Sequence, residues 1–203
     1  RMLAVYPEYR NLGIGYKLKM AQKKYIAKQG IDLITWTYDP LQSPNAYLNI
    51  HKLGAIVREY EVNVYGRSIN YLNRGMDTDR FMVEWRICLV KDIKKLKNNY
   101  FQFWRELKFA DTISNRVNKT YINKNNFLVC KKPLFNLKGK ILFVEIPNNI
   151  LTIRDTSLAL AQDWRIKIRK IFTYYFKQHY VAVDFITRQI DHYQKCFYVL
   201  YKQ

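Results

Sequence analysis

Arg1 to Tyr16, RMLAVYPEYRNLGIGY, is the stretch whose reading decides the fold. Met2 to Tyr6 is a short apolar run, and it predicts a strand closed by Pro7. Arg10, Gly13 and Gly15 follow, and a helical pattern begins at once. A strand, a glycine-bearing turn and a helix start together make a cradle for an anion. Glycines let backbone N–H groups crowd around a phosphate, and the helix N-terminus adds partial positive charge. Arg10 would bring a planar charged donor to the same phosphate. The opening therefore points to a phosphate-bearing ligand.

Working outward, residues 16–29 predict an amphipathic helix with Ile14, Leu18, Ala21 and Tyr25 on its apolar side and lysines on the others. Gly30 stands where a helix ends. Ile31 to Thr37, IDLITWT, reads as a buried strand, so the first elements form a βαβ unit with a parallel pair. Ser43 and Pro44 fit the cap and first position of a second helix, PNAYLNIHKLG, ending at Gly54. Ile56 to Tyr65 and Phe81 to Val90 read as further strands.

These motifs resemble the acetyl-coenzyme A-binding core of the GNAT N-acetyltransferase superfamily. The residues that carry the likeness are Val5-x-Pro-x-Tyr-Arg10-x-x-Gly13-x-Gly15, the helix and strand behind it, and a second helix ending Lys52-Leu53-Gly54. The runs WTYDPLQSPNAYLNIHKLGA and TDRFMVEW resemble a poorly characterised group within it. The likeness implies that the turn backbone of Arg10, Asn11, Leu12, Gly13, Ile14, Gly15 and Tyr16 holds the coenzyme pyrophosphate. It implies that Leu3 and Val5 pair with the pantetheine arm and that Asn45 contacts the coenzyme, although the usual Asn position aligns better with Ser43. The customary general-acid Tyr falls on Ile50, which leaves Tyr47, Asn49 and His51 as neighbouring candidates, and Glu84 and Asp39 as carboxylates to act as base or to bind a cationic acceptor. It also implies that the strands and helices preceding the turn in that fold, which line much of the acceptor site, lie outside these residues. The expected activity is acyl transfer from acetyl-CoA, or a related acyl-CoA, to an amine by direct attack, with no metal. A non-catalytic coenzyme-binding module is the alternative.

Bulk properties bound the remaining choices. The chain has 203 residues, of which 49% are hydrophobic and 16% aromatic, enough for a real core. Cys88, Cys130 and Cys196 lie far apart with no CxxC, which predicts free thiols in a reducing, cytoplasmic setting and argues against a zinc site. No apolar run reaches membrane-spanning length. The net charge of +19 admits nucleic acid as a partner, but the excess is spread. Its one cluster, residues 114–140, holds seven basic residues and no acid, and lacks the glycine–aromatic signature of a single-strand platform. A homo-oligomer is compatible with all of this.

The second half reads as a basic connector over 91–140, including a short aromatic helix FQFWRELKF, and then an α+β segment over 141–203. Ile141 to Ile146 is a strand. Residues 157–178 form the strongest helix, with Ala161, Trp164, Ile168, Ile171 and Tyr175 on one stripe and Arg165 and Arg169 on another face. Tyr180 to Thr187 and Cys196 to Tyr201 are the last strands. This order repeats that of 1–90 without its glycines, so the segment is either a degenerate second half or an ordinary α+β unit. The expected fold class is α/β with a mixed sheet.

Overall fold

The helix α4 (Leu158–Lys177) organises the core. Its predicted stripe is realised in full, because Ala161, Trp164, Ile168, Ile171 and Tyr175 are all completely buried. Ser157 caps it, accepting from the amide of Leu160. The computed structural model describes residues 3–66, 74–87, 114–190 and 193–203. Cys88, His192, the predicted helix over 101–109 and the ends of two predicted strands lie outside these residues.

The other described elements are α1 (Ile14–Ala27), β1 (Leu33–Tyr38), α2 (Ser43–Ala46), β2 (Ile56–Glu61), β3 (Arg80–Arg86), β4 (Asn118–Ile122), β5 (Leu128–Pro133), β6 (Ile141–Ile146), α3 (Ile150–Thr156), β7 (Tyr180–Ile190) and β8 (Tyr193–Lys202). α2 continues directly into a π-helix, Tyr47–Lys52. Six strands form one sheet in the order β1-β3-β2-β7-β8-β6, and β4 and β5 form a separate hairpin. Every strand pair among the described residues is antiparallel. The fold is thus α+β on an antiparallel sheet, not the mixed sheet that the sequence predicts. The cause lies at the start of the chain. Leu3 to Tyr6 form no strand, and Leu3 is exposed, so the expected parallel pair with β1 is not made.

The sheet is built from two units of the same order. β1, α2, β2 and β3 pair as β1-β3-β2, and β6, α3–α4, β7 and β8 pair as β6-β8-β7. The second strand of each unit meets the other at the centre, through the single pairing of Val57 with Ala182. The likeness extends to detail. Gly54 and His179, three residues before that pairing in each unit, both have left-handed φ angles, 71° and 63°. Each strand carries a register shift just past the pairing, between Val57 and Glu59 and between Ala182 and Asp184. The two units nonetheless share one core, running from Tyr38 to Leu200. The described part of the basic connector is not a mere link. Trp164 Nε1 donates to Leu128 O and Tyr175 Oη to Leu134 O, which fasten the β4–β5 hairpin and its following loop to α4.

α1 departs most from its predicted register. Leu18 and Tyr25 are exposed, at 44% and 64%, whereas Lys19 is buried. The inward side carries Gly15, Lys19 and Lys23, with the Lys19 ammonium 3.6 Å from the Trp36 ring centre and that of Lys23 5.5 Å from Trp85. The two indoles, edge to face at 6.0 Å, offer π surfaces to cations whose alkyl stems cover them. Burial lowers the pKa of Lys19.

Arg165 and Arg169, expected on a solvated face, instead bind the first unit. Arg165 forms a two-pronged pair with Asp39, at 2.8 and 2.6 Å. Arg169 reaches Asp79 at 2.8 Å and Asp77 at 2.6 Å, and Tyr60 also donates to Asp79. Burial by itself would raise the Asp79 pKa, but the Arg169 and Tyr60 hydrogen bonds outweigh it and lower it. A lowered folded-state pKa adds stability above the ordinary carboxylate value, lost as pH falls through the folded one. Acid titration of the urea midpoint should therefore show a decline below about pH 4 that is reduced in Asp79→Asn. Identical acid limbs in the two proteins would remove this role.

Candidate functional site

The opening turn has the backbone an anion needs. Pro7–Tyr9 form one 3₁₀ turn, and Arg10 then leads into Asn11 and Gly13, both left-handed at φ 64° and 74°. Gly13 is the N-cap of α1, and its carbonyl accepts the amide of Lys17 at 3.0 Å. The amides of Ile14, Gly15 and Tyr16 come before any carbonyl one turn back, so they have no intrahelical partner. Leu12 and Arg10 are exposed. Arg10 Nε donates to Val5 O at 3.1 Å, which ties the turn to the segment before it. That contact occupies one of the groups expected to meet a pantetheine arm. Leu3 and Val5 lie outside the sheet.

Gly15 sets the distance between this turn and the second helix. A Cβ there would stand 3.4 Å from Leu48 Cδ2, so α1 rests closely on the π-helix. The helix starts one residue earlier than expected, at Ser43, so the cap is Gln42 and Pro44 takes the second position. The Ser43 hydroxyl is buried and donates to the carbonyl of Asn148 in the second unit. Asn45 is exposed on the first turn. Ile50, at the place of the customary acid, is 1% exposed and belongs to the core.

Wider π turns are rare and concentrate at functional places. Here the π-helix carries Tyr47 and His51 on one side, with the rings stacked at 4.8 Å and 21°. Lys52 Nζ lies 5.4 Å above the Tyr47 ring. His51 Nδ1 is 3.0 Å from Asp184 Oδ1, with side chains 35% and 14% exposed. Among the described residues His51 Nε2 makes no hydrogen bond. The same Asp184 oxygen accepts the amide of Phe185 at 2.7 Å, which orients the carboxylate.

Glu84 does not join this group. It accepts from Arg58 at 2.6 Å, and strand alternation puts it on the face opposite Phe81, Val83 and Trp85, which meet the helices. Asp39 is committed to Arg165 and to the amide of Leu41. Asp184 is the residue that sequence reasoning missed. An acid inside the apolar run YVAVDFIT needs a partner when half buried, and that was the signal available.

A cleft of about 280 Å³ opens at the other side of the central pairing, lined by Arg58, Phe176, His179, Tyr180, Val181 and Gln203, and shares no residue with the site. Among the described residues no group of three His, Cys, Asp or Glu is placed to hold a metal, and no helix is long and apolar enough to cross a membrane. Cys130 and Cys196 are free and buried, with thiol pKa values pushed up by burial to about 11 and about 12. No protein-family model matches the chain, and neither a curated protein nor a solved structure shows a significant match.

Proposed function

We propose that the chain is an acyl-CoA-dependent N-acyltransferase, similar to the GNAT superfamily, that passes an acetyl group to an amine by direct attack. The observation that supports this most is the left-handed pair Asn11 and Gly13 opening α1, a glycine-bearing turn at a helix N-terminus of the kind that binds phosphate groups. Arg10 supplies the accompanying positive charge. The order β1, α2, the π-helix with left-handed Gly54 after it, β2 and β3 is compatible with the reading. Such chemistry needs a positioned amine, donors for the oxyanion, and groups to move one proton from nitrogen to sulfur. Tyr47 and His51 stand on the helix against which the turn packs.

Isothermal titration of acetyl-CoA into the full-length protein tests this directly, and absence of binding would overturn it. Gly13→Ala is the informative variant. No atom crowds a Cβ there, so its effect comes only from holding an L side chain at φ 74°. That strain is about 1–2 kcal/mol, and binding should weaken by about 5–30-fold while α1 still forms. Unchanged affinity would remove the turn from the coenzyme site.

A further inference from the structure

The bulge in β7 has a consequence that its counterpart in β2 lacks. In an unbroken strand, side chains alternate between faces. Ala182 and Phe185 both belong to the main core, and Val183 to the second cluster on the other face. The register shift between Ala182 and Asp184 inserts the extra residue that lets both core contacts stand. Asp184 is thereby freed from alternation and aimed at the end of the π-helix, at His51. Bulges commonly serve to re-aim a side chain beside a functional site. The corresponding residues of the other unit are Phe176 and Glu59, and a phenyl ring offers no nitrogen to hold. The couple is thus particular to one side of the pseudo-symmetric sheet, and it joins the π-helix of the first unit to the bulge of the second.

Two features fix the imidazole. Asp184 accepts at Nδ1, and Tyr47 stacks on the ring plane. A carboxylate at Nδ1 retains the proton there and leaves the Nε2 lone pair outward. The His51 side chain is 35% exposed, so the ring is not sealed from solvent.

We propose that His51 and Asp184 form a proton-accepting couple for the acyl acceptor, with His51 Nε2 as general base and Asp184 as its positioning residue. This rests on the acyltransferase reading. The amine nitrogen attacks the thioester carbonyl carbon, forming C–N as C–S breaks. Nε2 takes the proton that the nitrogen sheds, and the coenzyme leaves as thiolate and takes up a proton to become the free thiol. Glu84, held by Arg58, has no part in the step.

The test joins a spectroscopic measurement to a kinetic one on the full-length protein. In an ¹⁵N–¹H imidazole spectrum at neutral pH, His51 carries its proton on Nδ1, and Asp184→Ala abolishes that preference. In thiol-release assays with acetyl-CoA and free lysine, spermidine or a lysine-rich peptide, His51→Ala lowers kcat by about 10²–10⁴-fold with little change in KM for acetyl-CoA. Asp184→Asn also lowers kcat, at unchanged far-UV circular dichroism. A wild-type Nε2–H tautomer overturns the couple. Acetyl-CoA binding with unaltered kcat in His51→Ala overturns only the role given to His51. No acetyl-CoA binding overturns the acyltransferase reading, and the amine with it.

Discussion

Asp39→Ala is expected to destabilise the protein by about 3–5 kcal/mol, measured as the urea unfolding free energy by circular dichroism. Arg165 is 2% exposed, and both of its terminal nitrogens bond the Asp39 carboxylate. Burial opposes the Arg165 charge, yet the Asp39 carboxylate more than offsets this and raises its pKa. A guanidinium is too basic to deprotonate inside a protein, so Arg165 cannot shed its proton when Asp39 is removed. It is left charged, dry and without that pair, and its Nε already has no hydrogen-bond partner among the described residues. The small void beside it, lined by Asp39, Gln42, Met76 and Arg165 among others, is about 10 Å³, scarcely room for one water. The double variant Asp39→Leu/Arg165→Met is expected to recover most of the loss, since replacing both members of a buried pair by apolar groups is often close to neutral. A loss under about 1 kcal/mol in Asp39→Ala would show that the pair is solvated in solution.

Phe81→Ala should cost about 3–5 kcal/mol in the same measurement, the range for emptying a buried aromatic site. Phe81 is fully buried on β3 and lies at the meeting of both units. Its ring is 4.6 Å from Phe172 on α4 and 5.4 Å from Tyr198 on β8, centre to centre, and meets both nearly edge to face. Tyr38 and Tyr60 stand at 5.7 and 5.6 Å. Edge-to-face pairs add to area burial, and four partners from four elements cannot all close on one void. Phe81→Leu should lose markedly less, because it keeps most of the volume. Equal losses for the two substitutions would mean that ring geometry, not cavity volume, controls the site.

Phe81 and α4 show where sequence reading succeeds. Phe81 falls in a run with buried-strand character, and the stripe on α4 follows from spacing alone. Other readings failed for identifiable reasons. Leu18 and Tyr25 of α1 lie outward and Lys19 inward because Trp36 and Trp85 present π faces that lysine ammonium groups satisfy. A pattern that counts lysine as solvent-facing inverts such a helix. The parallel strand at Leu3–Tyr6 failed because a strand needs a neighbour, and apolar composition supplies none. Arg165 and Arg169 read as a charged helix face, because their acids stand 126 and 90 residues away in the chain.

By itself the sequence determined the local elements: the β-rich runs of β1 and β6, the capped amphipathic α4, the turn at Asn11–Gly13, and the repeated strand–helix–strand–strand order. These follow from side-chain periodicity and backbone preference, which act over a few residues. Only the tertiary structure decided that β2 meets β7 through one pairing, that a bulge re-aims Asp184, and that His51 and Asp184, 133 residues apart, touch. Such contacts depend on register and on which strands become neighbours, and a charge meets its partner only after the cores of both units have closed. The glycine-bearing turn before α1 was legible in the chain, whereas the contact of His51 with Asp184 was not, because half of it belongs to the other unit.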